Sequence, residues 1–447
     1  MNARRFAGNS SATPREVLSR ASISLPFKLL VLSIFLPDEV SFRAFGILLS
    51  PARLCLLALA PVALRRLSAL VGTRRYCFVL SDLFVPLTGI WMFWSLAHTE
   101  TLQDAVPHAG INVLEFSVAY MISRSLLRDG SQIIDFVNFL CICVGVVGLL
   151  GLLDTLTRHF FIHDLMTGLL GVPRVESAGF RLGFLRAAST IEHPILLGFA
   201  CAIGVLLAFS VPIRAKVFAI FSCTLGLIIA LSSAPIQAVV VGLLLLGYNK
   251  VLSGVRFRWA ILIALGFAAC SAIFLTVNNP LGYVFNHLVF DAESAYYRIY
   301  TWQISTAAVG ASPWYGFGFV IPPEYGIPTT VDSVWLLKSL TFGIPGAVLI
   351  AASVVGSAWL PTNGRNVHLS AAESKLGTTL GIVIFLILFI GFTVDLFGNV
   401  SIMIPLLAGA RARLGGLGRA PSSPRASMSL SRTAPLRLAR FDGGARP

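Results

Sequence analysis

"RWAILIALGFAACSAIFLTV", Arg258 to Val277, decides the fold. After Arg258 it runs to Val277 without a charge. A helix that crosses a bilayer needs roughly 20 predominantly apolar residues. In lipid, only helices and closed barrels satisfy every backbone group. This run is too long and too continuously apolar for a barrel strand. Similar runs lie on both sides of it, near 25–37, 44–63, 78–97, 108–123, 132–153, 191–210, 215–232, 235–249, 333–355, 376–394 and 398–410. The sequence therefore predicts an all-α integral membrane protein of about twelve transmembrane helices, with a large periplasmic loop between the ninth and the tenth.

The chain of 447 residues is 56% hydrophobic and 12% charged, about half the charged fraction of a soluble protein. That balance excludes a single soluble core. The first apolar run follows Arg4, Arg5, Arg15 and Arg20 and has no small-residue cleavage pattern after it, so no removed signal peptide is expected. The net charge is +14, of which residues 1–28 carry +4 and residues 411–447 carry +7. Basic tails of a membrane protein are retained in the cytoplasm, which explains the charge without a nucleic-acid partner. The seven cysteines lie in or beside apolar runs, with no CxxC and no metal spacing. They read as small buried residues, and no metal or cofactor is expected.

Links between the runs sort by charge. Those at 64–77, 124–131, 211–216, 250–258 and 356–375 are basic, whereas "HTETLQDAVP" (98–107), "SAP" (233–235) and "DLF" (395–397) are not. The positive-inside rule places both tails and the basic links in the cytoplasm. The chain then divides into a tail at 1–24, a membrane domain at 25–410 and a basic, disordered tail at 411–447. Two outer links are long, 154–190 and 278–332. The first carries Arg158, Arg174, Arg181 and Arg186 on the side where Arg is disfavoured; the second carries Arg298 among Asp291, Glu293, Glu324 and Asp332.

Ionisable groups at membrane depth mark function, and three stretches hold them. In "RLGFLRAASTIEHPILLGFA" (181–200), Arg186, Glu192 and His193 precede Pro194, which suits the first turn of a helix. Arg186 beside that helix start suits a phosphate or diphosphate, or a lipid headgroup, with His193 as a cap. In "FDAESAYYRIYTWQISTAAVGASPWYGFGF" (290–319), Arg298 sits among Tyr296, Tyr297, Tyr300 and Trp302. These rings stack on sugars or form an interfacial belt, and Gly316 and Gly318 signal a turn or re-entrant loop. In "TTVDSVWLLKSLTFGIPGAVL" (329–349), Asp332 and Ser333 open a span, as an N-cap or as a base for a hydroxyl proton. Lys338, deeper in that span, pairs with Asp395 or snorkels. No internal repeat is evident, which does not suit an inverted-repeat transporter.

Taken in order, "RAASTIEHP", "LSSAP", "RIYTW" with "SPWYGFGF", and "DSVWLLKSLTFGIPG" resemble the O-antigen ligase and O-antigen polymerase superfamily of bacterial membrane glycosyltransferases. The resemblance is carried mainly by residues 181–350. It implies an undecaprenyl-diphosphate-linked glycan as donor, used without a metal on the periplasmic side of the bacterial inner membrane. It implies that Arg186 and Arg298 hold the diphosphate, with Tyr297, Trp302 and Glu324 around the substrate and Asp332 and His193 as candidate bases. The ligase branch carries a His near the start of the tenth span, where this chain reads "VDSVW". That departure points away from ligation onto lipid A core and towards exopolysaccharide polymerases, with Asp332 as the remaining base. The rival classes are the ligase and a polysaccharide or lipid transporter. Membrane lipids, and other polysaccharide assembly proteins, are the implied partners.

Overall fold

The computed structural model describes residues 22–44, 47–71, 77–172, 179–210, 215–278, 283, 292–328, 330–358 and 369–417. The described residues are overwhelmingly helical, as a chain with no water to bond its backbone must be. Eight helices are long and apolar enough to cross a membrane: α2 (Pro51–Val71), α3 (Leu80–Thr99), α6 (Gly130–Thr157), α10 (Ser233–Val251), α11 (Arg258–Thr276), α13 (Val334–Ala358), α14 (Ala371–Ile390), and α15 (Met403–Leu417) with the 3₁₀ turn Asn399–Ile402 that leads into it. The opening stretch is α11, which has no buried residue. A helix apolar all round and packed on so little protein has lipid as its natural surroundings.

The other apolar runs form shorter or interrupted helices. The run at 25–37 is helical only over α1 (Leu25–Ser33), about 14 Å at 1.5 Å per residue, and gives way to a 3₁₀ turn and the hairpin β1 (Phe42–Ala44) and β2 (Ile47–Leu49). The run at 108–123 is divided into α4 (Leu102–Val113) and α5 (Ala119–Leu126) by a π turn at Leu114–Val118. Those at 191–210 and 215–232 are α8 (Pro194–Ser210) and α9 (Lys216–Ile229). α8 is buried, and α9 packs one face beside α6, where Gly226 lies so close to Gly148 that an added Cβ would be 2.7 Å from the Gly148 Cα. The long outer links are partly folded. The first holds α7 (Phe161–Leu170) and the hairpin β3 (Phe180–Arg181) and β4 (Phe184–Leu185); the second holds α12 (Ala292–Ala311). α15 continues to Leu417, so Arg411 is helical and buried.

Side-chain contacts sort into two ends. At one end the basic links meet: Arg124 pairs with Asp82 at 3.0 Å and donates to the Cys77 carbonyl, and Arg413 donates to the Leu127 and Arg128 carbonyls. At the other end the non-basic links and the two long ones meet: Ser50 and Asp38 touch Asn399, and Glu100 accepts from Phe319 N at 2.7 Å.

α13 is kinked, and the kink holds the "SPWYGFGF" turn. Pro345 has no N–H for the Thr341 carbonyl, and Gly343 leaves helical geometry at φ 72°, ψ 171°. The carbonyls released there find new donors. Phe317 N donates to Leu340 O at 2.6 Å, Gly318 N to Thr341 O at 3.2 Å, and the Trp91 indole to Phe342 O at 2.9 Å. In return Ile344 N donates to Pro313 O at 2.8 Å. The two sequence motifs are thus one structural unit.

Only glycine adopts the Gly343 conformation readily, and a Cβ there would lie 1.9 Å from the Trp314 carbonyl oxygen. Gly343→Ala is expected to lower the melting temperature of the purified protein by the equivalent of about 1–3 kcal/mol or more. Gly381→Ala, in α14 with nothing near its added Cβ, is expected to leave it unchanged. Equal melting temperatures for the two variants would contradict the docked turn.

Candidate functional site

The site is built on two helix ends. The last carbonyls of any helix lack an intrahelical donor, and inside a membrane protein each must find one. At the end of α9, Arg181 donates to Leu231 O at 3.0 Å and Arg186 Nε points at Ala230 O at 3.5 Å. A cation at a helix C-terminus also meets the favourable end of the dipole. The loop that carries Arg186 is fixed from within. Asp154, fully buried in α6, accepts from Phe161 N, Ala188 N and Ser189 N at 3.0, 3.0 and 2.7 Å. Ala187 N donates to Ile229 O, and the Ser189 hydroxyl to Val147 O. These anchors hold Ser189 at φ 62°, a left-handed conformation that a serine adopts only when its surroundings enforce it.

The end of α14 gathers a second set. Trp335 donates its indole N–H to Leu388 O at 3.0 Å, Ser333 its hydroxyl to Gly391 O at 3.0 Å, and Trp302 its indole N–H to Phe392 O at 3.0 Å. Arg298 donates Nε to Thr393 O at 3.1 Å, and Val334 N donates to Val394 O at 3.3 Å. Tyr297 adds a bond to Thr330 O at 2.8 Å, tying α12 to the segment just before Asp332. One short stretch of backbone therefore fixes both Arg298 and Asp332.

These two ends face each other. Asp332 feels the charges of both Arg298 and Arg186, and Arg181 acts on both Arg186 and Arg298. Burial, together with Arg181 and Arg298, brings Arg186 down to about 10, so it stays charged at neutral pH. Burial also lowers Arg298. Burial raises Asp332 above its ordinary 3.8, against the pull of Arg298 and Arg186. Among the described residues, three guanidinium groups and the Asp332 carboxylate leave 3 − 1 = +2 in a half-buried site. Among the described residues the terminal nitrogens of Arg186 and Arg298 make no hydrogen bond.

No protein family and no curated protein matches the chain in comparison. The geometry therefore carries the functional argument.

Arg186, Arg298 and Asp332 lie within electrostatic reach of one another, and Arg181 stands beside the two arginines. Arg181 had been read only as one of several outer-loop arginines; its place on a two-residue strand beside a helix end leaves no pattern in the sequence. The remaining candidates have other partners. His193 Nδ1 accepts from Ile195 N at 3.2 Å, a cap on α8. Glu324 is exposed on the 3₁₀ turn Pro323–Tyr325 and makes no hydrogen bond among the described residues. Trp302 stacks on Phe392 with ring centroids 6.0 Å apart, so both its ring and its N–H hold the scaffold. Tyr297 is likewise bound to Thr330. Ser333, bonded to Gly391 O, also lies 3.4 Å from Leu336 N as the cap of α13, a role the Asp332 carboxylate does not take. Among the described residues no three His, Cys, Asp or Glu side chains form a metal site.

Glu192 belongs to a separate buried network. Asn399 joins it to the N-terminal segment: Asn399 N donates to Glu192 Oε1 at 2.9 Å, and Asn399 Nδ2 to Asp38 Oδ1 at 2.9 Å. Ser50 donates to Asn399 Oδ1 at 2.7 Å. His163 stands between Glu39, at 2.8 Å, and the Ile191 carbonyl, at 3.0 Å. Burial, then the Asp38 charge, pushes Glu192 up to about 8. It keeps its proton at neutral pH and donates to Asp38, also raised by burial. Because the folded pKa exceeds the ordinary 4.5, this contribution to stability is complete below that value and lost as pH rises through about 8. The melting temperature is expected to fall between about pH 6 and pH 9, and Glu192→Gln, which keeps a donor, is expected to flatten that fall. An unchanged slope in the variant would remove the shared proton from the account.

Proposed function

We propose that the chain is a membrane glycosyltransferase that polymerises or transfers a glycan carried on undecaprenyl diphosphate, at the outer face of a bacterial inner membrane. The observation that carries this reading is the convergence of Arg186 and Arg298 on Asp332, with Arg181 within reach of both arginines. A net charge of +2 suits a diphosphate diester, with about one negative charge on each phosphate, and guanidinium forks match phosphate oxygens. Bordering helices keep the polyprenyl tail in lipid while the head meets the arginines.

The chemistry follows from the charges. An acceptor hydroxyl attacks the anomeric carbon, the bond from that carbon to the diphosphate oxygen breaks, and the electron pair leaves with the diphosphate. The arginines stabilise the charge developing there, a contribution of several kcal/mol. Asp332 accepts the hydroxyl proton, and its raised pKa makes it a better base than an exposed carboxylate. His193, capping a helix, is not the base in this reading, and no His stands beside Asp332 in "VDSVW". This favours polymerisation over the ligase chemistry. In this reading the chain crosses the membrane twelve times with both ends inside, so reporter fusions after Lys250 and within 292–311 are expected to report opposite sides. The same side for both would end it.

Deleting the gene is expected to remove or shorten a surface glycan. Restoring Asp332→Asn at normal protein level is expected to give about 10²–10⁴-fold less transfer, and Arg298→Lys is expected to be impaired because a point charge lacks the fork. Wild-type polymer from Asp332→Asn would remove Asp332 as the base.

A further inference from the structure

Asp38 and Glu39 open the 3₁₀ turn Asp38–Val40 that follows α1, and each is tied to the loop that carries Arg186. Glu39 reaches that loop through His163 of α7, which stands 2.8 Å from Glu39 Oε1 and 3.0 Å from the Ile191 carbonyl oxygen. Both side chains are buried. A carbonyl only accepts, so Nε2 of His163 carries a hydrogen. Nδ1 then meets a carboxylate oxygen at 2.8 Å. That contact needs a proton of its own, on the ring or on the carboxyl group. Asp38 reaches the same loop through Glu192, and those two carboxyl groups share a second proton. Residues 38 and 39 are consecutive, and so are 191 and 192. Two protons therefore clamp one turn to one loop.

The charges around the clamp do not replace those protons. Asp38 feels Glu192, Glu39, Arg53 and His163, and His163 also acts on Asp154 of α6. Arg53 is already paired with Glu115 at 2.7 Å. Removal of both protons leaves carboxylates at 38, 39 and 192 within reach of one another, and like charges in a buried site repel strongly. The near half of the loop is tied to α6 by Asp154, which accepts from Ala188 N and Ser189 N. Its far half is tied by the clamp and by the Asn399 N–H on Glu192. Ser189, between the halves, keeps its φ of 62° only while its surroundings enforce it.

We infer that the turn and the loop form a proton-held latch, closed with Arg186 in place while both protons are bound, and opened as pH rises. The closed latch binds protons that the open one releases, so it is firmest in acid. Burial and then Asp38 raise Glu192 from 4.5 to about 8, so its share of the latch is complete below 4.5 and lost through about 8. The latch stands without any substrate; only its consequence for Arg186 rests on the proposed reaction.

The test is hydrogen exchange read by mass spectrometry on the purified full-length protein in detergent, at about pH 6 and about pH 9, with each rate corrected for intrinsic exchange at that pH. Residues 38–44 and 186–193 are expected to lose protection by about 100-fold, roughly tenfold for each pH unit up to about 8 from the Glu192 proton alone. Cys141–Gly148, in the middle of α6, is expected to keep its protection. Glu39→Gln combined with Glu192→Gln, whose amides donate the same bonds without a titrating proton, is expected to keep the loop protected at the higher pH. Equal protection of the wild-type loop at both pH values overturns the latch. So does an equal loss along α6, which is global unfolding, and so does a loss that the double variant retains. Binding of undecaprenyl monophosphate is then compared at about pH 7.5 and about pH 9, where a phosphate monoester keeps its charge. It is expected to weaken by up to about tenfold in the wild type and to hold in the double variant. Opening without weaker binding overturns the link to Arg186. Opening with no lipid bound at either pH overturns the proposed function and leaves the latch standing.

Discussion

A helix that ends inside a membrane protein leaves carbonyl groups that water does not reach, and the end of α14 is where this chain resolves that constraint. The carbonyls of Leu388, Gly391, Phe392, Thr393 and Val394 take an indole, a hydroxyl, a second indole, a guanidinium and a backbone N–H. The donors come from α12, the start of α13 and the residue before it. Satisfying the helix end therefore also fixes Arg298 and Asp332 relative to one another. The end of α9 does the same for Arg181 and Arg186. The charged site is thus a by-product of two backbone requirements, with Arg186 and Arg298 held by Nε to helix-end carbonyls and Arg181 donating a terminal nitrogen to another.

The same logic organises the kink in α13. Pro345 and Gly343 break the ladder, and the turn at 313–319 supplies the missing donors. A helix broken at that depth is tolerated only because protein covers it.

Much of this was legible in the sequence, and the reasons are physical. The long apolar runs announce membrane helices because nothing else accommodates them, and α3, α6, α10, α11, α13 and α14 follow them closely, whereas α2 starts only at Pro51, after the hairpin, and runs on to Val71 through the expected basic link at 64–77. Arg186, Arg298 and Asp332 stood out because charges are rare in this chain. The turn at Gly316 and Gly318 was readable from its glycines. Less legible were helix lengths near the ends of runs: α1 stops at Ser33 although apolar residues continue. The protein partners of Tyr297 and Trp302 were also not legible, because they are backbone carbonyls and any residue type supplies those. The pairing of Glu192 with Asp38 joins residues far apart in the chain that no local pattern connects.

The central claim is that three arginines and one aspartate form a single anion site. It is tested most directly by cryo-electron microscopy of the full-length protein in a lipid nanodisc with undecaprenyl diphosphate. The account predicts density for the diphosphate in contact with Arg181, Arg186 and Arg298 together, beside Asp332. Guanidinium groups that point to separate faces of the bundle, each reaching only bulk lipid headgroups, would contradict it.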